Sequence, residues 1–218
     1  MSPVSIVLVD DHQLVRRGLR SLLSAETDFS VIGEGSDGLT AADLVERLQP
    51  DVVILDMVMP GLTGVEVSRQ ISQRCPRTRI LILSMYANDA YILAALRNGA
   101  AGYVLKTVSP EVLAEAVRVV AGGQKYLCPP LSGRAIEAYI QRSDSASVDP
   151  YETLTSRERE VFHLAAEGYN NTQIGERLAI SPRTVETHRE KIMRKLNLQS
   201  FADLIRYALK KGILPLDD

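Results

Sequence analysis

The chain has 218 residues, of which 45% are hydrophobic, and its formal net charge at pH 7 is -2. This apolar fraction excludes intrinsic disorder, and the length is more typical of two small domains than of one. The slightly negative charge excludes a uniformly basic nucleic-acid-binding protein, so any such surface requires a local excess of basic residues.

The start of the chain, residues 1–9, shows neither a basic leader nor an apolar run long enough to cross a bilayer. The two cysteines, Cys75 and Cys128, are far apart and match no metal-binding spacing, which is typical of a reducing compartment. We therefore expect a cytoplasmic protein that does not insert into a membrane.

Residues 4–123 alternate short β-rich runs with amphipathic helical stretches, a pattern typical of β-α units around a parallel sheet. Several runs are apolar on both faces, as strands covered by helices on both sides must be. The pattern predicts five strands, at residues 5–10, 30–35, 51–56, 79–85 and 102–106. We expect an α/β, doubly wound fold for this first domain, 1–123.

Residues 124–149 contain consecutive prolines and a polar run at 142–147, with a short helix possible near 134–141, and this composition predicts a linker. The β-rich character ends there, so residues 150–218 are predicted to form a second, smaller, all-helical domain. Helix starts are indicated by capping boxes at 155–158 and 170–173 and by the Ser181-Pro182 pair, and the last helix is expected to end at Gly212.

Reactive side chains follow the ends of four predicted strands, where the loops of an open parallel sheet converge. They are Asp10, Asp11, Asp56, Ser84 and Lys106. Converging carboxylates repel one another unless a divalent cation joins them, and oxygen ligands suit Mg²⁺. Asp56 could act as a nucleophile toward phosphorus while Lys106 neutralises phosphoryl oxygens. Each residue alone is common at a strand end, but the set indicates phosphoryl transfer.

The motifs around these residues resemble the receiver domain of bacterial response regulators. They read V-L-V-D-D-H at 7–12, L-D-M-V-M-P-G-L-T-G at 55–64, S-M-Y at 84–86 and G-Y-V-L-K at 102–106. The resemblance implies a flavodoxin-like, five-stranded parallel sheet of order 2-1-3-4-5. It also implies that Asp56 is the phosphorylation site and that Mg²⁺ is held by Asp11, Asp56 and the Val58 carbonyl, with Asp10 partly through water.

In the same resemblance, Ser84 and Lys106 hold the phosphoryl oxygens. Tyr103 stands at the aromatic switch position, where a ring moves inward as the serine hydroxyl shifts toward the phosphate. A tyrosine packed at the edge of a sheet is an equally good interpretation of the sequence pattern. Thr107 follows the lysine where family members commonly have proline, and a cis bond there would cost about 2.5 to 4 kcal/mol, so none is assumed.

The second domain contains two predicted helices joined by a short turn at 179–181, the spacing of a helix-turn-helix. The second of these helices carries Arg183, Arg189, Lys191, Arg194 and Lys195 against Glu186 and Glu190, so 5 - 2 gives +3 on one segment. This local excess favours contact with DNA phosphates. A helical hairpin with solvated charges is the alternative interpretation.

The motifs L-T-S-R-E-R-E-V at 154–161, N-N-T-Q-I-G at 170–175 and S-P-R-T-V-E-T-H-R at 181–189 resemble the LuxR-type helix-turn-helix. Together with the first domain, the chain resembles the NarL/FixJ class of response regulators. This resemblance implies four helices, the third entering the major groove and the fourth available for a dimer contact. Val185 and Ile192 are then expected to be core residues.

The expected DNA contacts fall into two groups. Candidates near base edges are Thr184, Glu186, Thr187 and Glu190, and candidates for phosphate contact are Arg183, Arg189, Lys191 and Arg194. Some relatives carry lysine where the two glutamates stand, so their base preference does not transfer. A glutamate can accept a hydrogen bond from cytosine N4.

The two modules in one chain predict a phosphorylation-controlled transcription regulator rather than an enzyme. A sensor histidine kinase would phosphorylate Asp56, and the modified protein would form a homodimer and bind promoter DNA. One alternative is a phosphatase of the haloacid dehalogenase type, but its D-x-D signature is missing because Val58 stands two residues after Asp56. The other is DNA binding controlled by a partner or small molecule without phosphate.

Overall fold

A computed structural model describes residues 2–87, 89–129, 131, 150–211 and 213–214, without the side chain of residue 90. The chain divides into two compact units, Met1–Asp144 and Ser145–Asp218. Most of the predicted linker, including its possible short helix, and the predicted helix end at Gly212 lie outside the described residues.

The first unit is built on one parallel sheet. Its strands are β1 (Val4–Val9), β2 (Phe29–Gly35), β3 (Val52–Asp56), β4 (Arg79–Ser84), β5 (Gly102–Leu105) and β6 (Tyr126–Leu127), in the order β2-β1-β3-β4-β5-β6. The first five lie within two residues of their predicted bounds. All five residues of β3 are buried, as expected for an apolar strand in the middle of a parallel sheet.

The predicted number of five strands is wrong, because a sixth extends the sheet beyond β5. The amide of Tyr126 donates to the Ala101 carbonyl over 3.0 Å, and that of Cys128 donates to the Tyr103 carbonyl over 3.2 Å. Two residues are too few to show the alternation that marks a strand in a sequence. As a result, β5 lies between two strands and Tyr103 is not at the edge of the sheet.

Five helices flank the described part of this sheet: α1 (Gln13–Ser24), α2 (Gly38–Leu48), α3 (Gly64–Arg74), α4 (Asp89–Arg97) and α5 (Pro110–Ala121). Each follows one strand and leads to the next, so the carboxyl ends of β1 to β5 meet at one edge of the sheet. The predicted doubly wound α/β fold is confirmed.

The second unit is helical where it is described. A 3₁₀ turn at Pro150–Thr153 precedes α6 (Ser156–Ala166), α7 (Asn171–Leu178), α8 (Pro182–Lys195) and α9 (Phe201–Lys210). Both predicted capping boxes are present, at the starts of α6 and α7, and the Ser181 side chain caps α8. Val185 and Ile192 are buried, as predicted.

The turn between α7 and α8 depends on a close approach of two backbone segments. Ala179 adopts a left-handed conformation with φ of 52°, which ends α7. A Cβ atom on Gly175 would lie 2.6 Å from the Ile180 carbonyl oxygen, so a larger residue would push the turn away. This glycine lets α8 cross close to α7.

Across both units, no helix among the described residues is long and apolar enough to span a membrane.

Candidate functional site

Four residues with possible metal ligands meet above the carboxyl ends of β1 and β3. The ligand atoms of Asp10, Asp11, His12 and Asp56 all lie within 4.8 Å of one another. β1 and β3 are hydrogen-bonded neighbours in the sheet, which is why residues 46 positions apart in sequence converge here. Asp10 and Asp56 are buried, at 2% and 5% exposure.

Lys106 joins the two buried carboxylates from the end of β5. Its Nζ donates to Asp10 Oδ2 over 2.7 Å and to Asp56 Oδ2 over 2.8 Å. Burial raises the pKa of Asp56 to about 6, although the hydrogen bond and charge of Lys106 oppose the rise. Burial would lower the pKa of Lys106, but its bonds to the two carboxylates outweigh this and the pKa is raised. The cluster thus holds more negative charge than one lysine neutralises.

One carboxylate oxygen of Asp11 is shielded without a hydrogen bond from the described part of the chain. Its Oδ1 is shielded from solvent and accepts no hydrogen bond from the described residues, although His12 Nδ1 lies 2.8 Å away. Buried carboxylate oxygens normally have a partner, so an unsatisfied one beside other acids suits a cation. The residues present therefore fit a divalent metal ion.

Gly64 allows α3 to begin against the end of β3. A Cβ atom at this position would lie 2.4 Å from the Asp56 carbonyl oxygen, so only glycine fits without moving the strand end. The Gly64 amide donates to the Met57 carbonyl over 2.8 Å and closes the loop that contains Val58. A backbone hydrogen bond from Val58 to Asp56 favours the ionised carboxylate.

A chain of contacts leads from the end of β4 to the interior of β5. The Tyr86 amide donates to Ser84 Oγ over 3.0 Å, and the Tyr103 hydroxyl donates to the Tyr86 carbonyl over 2.7 Å. Ser84 and Tyr103 are both 0% exposed. Burial raises the pKa of Tyr103 above its usual range. The ring of Tyr86 also meets that of Tyr91 edge to face, with centroids 5.6 Å apart.

Arg16 was not among the predicted site residues, yet its Nη1 donates to the carbonyl oxygen of Asp10 over 2.5 Å. The sequence does indicate the position of Arg16. It lies three residues before Leu19 and seven before Leu23, the two buried residues of α1. Helical spacing therefore places Arg16 on the inward face of α1, while its neighbour Arg17 is exposed. His12 was also missing from the predicted ligands.

Helix α8 presents a polar face in the second unit. Seven of the eight predicted DNA-contact residues are exposed. Arg183, Thr187, Glu190 and Arg194 lie at helical spacing on one side, opposite the buried Val185. Residues on a continuous exposed side of one helix can enter a groove of DNA together.

Two of the basic residues counted on α8 are held within the unit. Arg189 is half-buried, donates to Asn171 Oδ1 over 2.9 Å and lies 5.6 Å from the centre of the Phe201 ring. Lys195 Nζ lies 2.6 Å from Glu158 Oε2. The exposed charges on α8 are Arg183, Lys191 and Arg194 against Glu186 and Glu190, so 3 - 2 gives +1. The available positive charge is smaller than the sequence indicated.

Comparison with known proteins identifies both units. Residues 6–118 match the response regulator receiver domain, and residues 152–208 match the luxR family of bacterial regulatory proteins. The chain is 40% identical over 215 residues to the oxygen regulatory protein NreC of Staphylococcus carnosus strain TM300, covering 97% of this chain and 99% of that one. It is 37% identical over 222 residues to the transcriptional regulatory protein DegU of Brevibacillus brevis, covering 96% and 94%.

Among solved structures, the chain is similar to the response regulator RcsB in its complex with DNA. The TM-score is 0.58 at 28% sequence identity, and the match covers 96% of this chain and 99% of that one. The similarity extends over both units, so the order of the two modules is the same in both proteins.

Proposed function

This chain belongs to the response regulators that join a receiver domain to a LuxR-type DNA-binding domain, and from that membership we propose that phosphorylation of Asp56 controls its binding to promoter DNA. It is a phosphorylation-dependent regulator of transcription and not an enzyme. The observation that carries the assignment to Asp56 is its position in the buried cluster with Lys106 and Asp10.

In the proposed reaction, a carboxylate oxygen of Asp56 attacks the phosphorus of a phosphohistidine on a sensor kinase. The bond from oxygen to phosphorus forms while the bond from phosphorus to the histidine nitrogen breaks, and that nitrogen keeps the electron pair. Lys106 stays charged and lies next to the attacking group, so it can neutralise phosphoryl oxygens as they arrive. The buried Ser84 hydroxyl would donate to one of them.

We propose Mg²⁺ as the cation of the acidic cluster, because its candidate ligands are mainly carboxylate oxygens. Asp11, Asp56 and the Val58 carbonyl would hold it, with Asp10 partly through water. When bound, Mg²⁺ would supply positive charge to the phosphoryl oxygens and reduce repulsion between the carboxylates. The unsatisfied Oδ1 of Asp11 supports a role as a direct ligand.

Tyr103 and Ser84 are proposed as the switch pair. Both contact Tyr86. The Ser84 hydroxyl accepts a hydrogen bond from the Tyr86 amide, and the Tyr103 hydroxyl donates one to the Tyr86 carbonyl. A shift of the Ser84 hydroxyl toward a phosphoryl group would therefore be felt at Tyr103 through one residue. This supports coupling between phosphorylation and the loop after β4.

For DNA, we propose that α8 enters the major groove, because it is the second helix of the helix-turn-helix and presents an exposed polar face. The similarity to RcsB, which was solved in complex with DNA, supports DNA binding by this unit. Arg183, Lys191 and Arg194 are the proposed phosphate contacts, together with Arg189, which is already oriented by Asn171. The proposed contacts near base edges are Thr184, Glu186, Thr187 and Glu190. A homodimer formed on phosphorylation would place two such helices on one promoter.

The proposed division of the chain is a receiver domain at 1–123, a linker at 124–149 and a DNA-binding domain at 150–218. The two family matches support it, while β6 attaches the start of the linker to the sheet of the receiver. We propose the cytoplasm as the location, because the regulator needs access to the chromosome and to the kinase, and both cysteines are free thiols.

The phosphatase alternative is not supported, because the family matched is a regulator and Val58 stands where the second carboxylate would be needed.

The assignment to Asp56 is tested by incubating the full chain with acetyl phosphate and Mg²⁺ and locating the phosphoryl group by mass spectrometry. We expect one group on Asp56 and none in Asp56→Asn. Asp37→Asn is the matched control, since it removes a carboxylate just after β2 and asparagine can still cap α2. Unchanged labelling of Asp56→Asn would refute the assignment.

A further inference from the structure

Arg16 contacts the backbone beside the acidic cluster without being one of its candidate ligands. Its Nη1 donates to the Asp10 carbonyl oxygen over 2.5 Å, and 14% of its side chain is exposed. Its Nε lies 3.5 Å from Glu34 Oε2 on β2. Arg20, one turn further along α1, donates to the other oxygen of the same carboxylate over 2.5 Å. Arg16 therefore links α1, the end of β1 and β2.

The polar atoms of Asp10 are all occupied. Its amide donates to the Gly35 carbonyl over 3.2 Å, and its Oδ1 accepts from the His12 amide over 2.8 Å. Its Oδ2 accepts from Lys106, and its carbonyl oxygen accepts from Arg16. The last contact fixes the peptide between Asp10 and Asp11, because that carbonyl belongs to it. The same planar peptide includes the Asp11 Cα atom, so the contact also fixes the point from which the Asp11 side chain starts.

We propose that Arg16 is a positioning residue for the divalent cation, acting through the Asp10 carbonyl to orient the Asp11 carboxylate. Groups that orient metal ligands from outside commonly change metal affinity by 10- to 100-fold when they are removed. The inference rests on the proposed function, since it needs the acidic cluster to bind a cation.

The charge of Arg16 and its hydrogen bond to Asp10 should change the affinity for a cation in opposite directions. A guanidinium next to the cluster repels an incoming cation, so removing the charge would tighten metal binding if electrostatics decided the outcome. Removing an orienting contact would weaken binding instead. The sign of the change in affinity therefore separates the two roles.

The test is a titration of the full chain with Mn²⁺, in which electron paramagnetic resonance measures the free ion. We expect Arg16→Gln to weaken binding about tenfold. Arg16→Lys keeps the charge and one donor, so a smaller loss is expected. Arg17→Gln is the matched control. It removes the same charge from the next residue, whose side chain is exposed. Its dissociation constant should equal that of the wild type.

Unchanged or tighter binding by Arg16→Gln would overturn the proposal. If that variant does not fold, Glu34→Gln replaces it, because this change loosens the guanidinium from β2 without removing it. We expect a smaller loss of affinity there, and equal affinity would likewise overturn the proposal. Failure of the wild type to bind Mn²⁺ would instead refute the proposed cation site, so the two failures are distinguishable.

Discussion

The hydroxyl of Tyr103 donates a hydrogen bond to the backbone carbonyl of Tyr86 over 2.7 Å, and this bond ties the interior of β5 to the loop after β4. The same residue, Tyr86, donates its amide to Ser84 at the proposed phosphoryl site. Tyr86 therefore contacts both the serine hydroxyl and the buried tyrosine. The contact is short enough to transmit a movement of either side chain.

Removing that hydroxyl should weaken the receiver unit. Tyr103→Phe keeps the ring but leaves the Tyr86 carbonyl without its donor, and we expect a loss of about 1 kcal/mol in the free energy of unfolding. Tyr126→Phe is the control, because no described residue accepts a hydrogen bond from its hydroxyl. Urea unfolding of the full chain checks this prediction. Equal stability of the two variants would show that the bond to Tyr86 does not stabilise the unit.

Asp56→Asn should stabilise the unphosphorylated chain at neutral pH in metal-free buffer. Burial holds the pKa of Asp56 at about 6, above its usual 3.8, so the native state binds the extra proton and stability falls as the pH rises from 3.8 to 6. Neutral asparagine avoids that cost, and we expect a gain on the order of 1 to 3 kcal/mol at pH 7.5 and none at pH 4. A loss of stability at pH 7.5 would contradict the direction of the shift.

The DNA-binding unit should lose stability in acid because of His163. Burial and the nearby charge of Arg159 lower the pKa of His163 to about 3, and its Nε2 lies 2.8 Å from the Tyr151 hydroxyl. The unfolded chain binds this proton from pH 6.5 downward, so the contribution is fully present above 6.5 and is lost as the pH falls toward 3. The expected slope is on the order of 1 kcal/mol per pH unit.

The pH dependence is measured by calorimetry of the full chain between pH 7 and pH 4. His163→Gln should flatten the slope for the DNA-binding unit, whereas His12→Gln, on the receiver, should leave it unchanged. The burial of His188 lowers its pKa as well, so a shallower slope remains in His163→Gln. An identical slope in His163→Gln and wild type would show that His163 is not the group responsible.

The sequence predicted the positions of some site residues and structural elements, but not of others. The strand ends that carry Asp10 and Asp56 were predicted, because a run of buried apolar residues is visible locally and its end fixes the loop. Tyr126–Leu127 was missed because its pairing depends on an open edge of β5 rather than on its own pattern. The capping boxes of α6 and α7 were predicted since both partners lie within one turn.

The net charge available on α8 also could not be predicted from the local sequence. Counting side chains predicted a local excess of +3, but Lys195 is paired with Glu158, which lies 37 residues earlier in the chain. A contact across that separation depends on how α6 packs against α8, and no local pattern encodes it. The charge of Lys195, counted in that excess, is therefore used in an ion pair within the domain.

This ion pair predicts different outcomes for two lysines on one helix. Lys191→Ala removes an exposed charge, so binding to any duplex DNA should weaken and the slope of log affinity against log salt should fall by about 1. Lys195→Ala breaks an ion pair with a buried carboxylate and should lower the melting temperature of the DNA-binding unit while changing the salt slope little. Fluorescence anisotropy at several salt concentrations checks both variants. Equal slopes for Lys191→Ala and wild type would remove Lys191 from the proposed phosphate contacts.

The central claim is that a phosphoryl group on Asp56 increases dimerisation and DNA binding, and one measurement on a single sample tests it most directly. The full chain is treated with acetyl phosphate with and without Mg²⁺, and the phosphorylated fraction, the molar mass in solution and the affinity for promoter DNA are then determined together. We predict that dimer content and affinity rise with the phosphorylated fraction in wild type, only when Mg²⁺ is present, and that Asp56→Asn shows neither change. An equal rise in Asp56→Asn, or a fully phosphorylated wild type with unchanged mass and affinity, would contradict the claim.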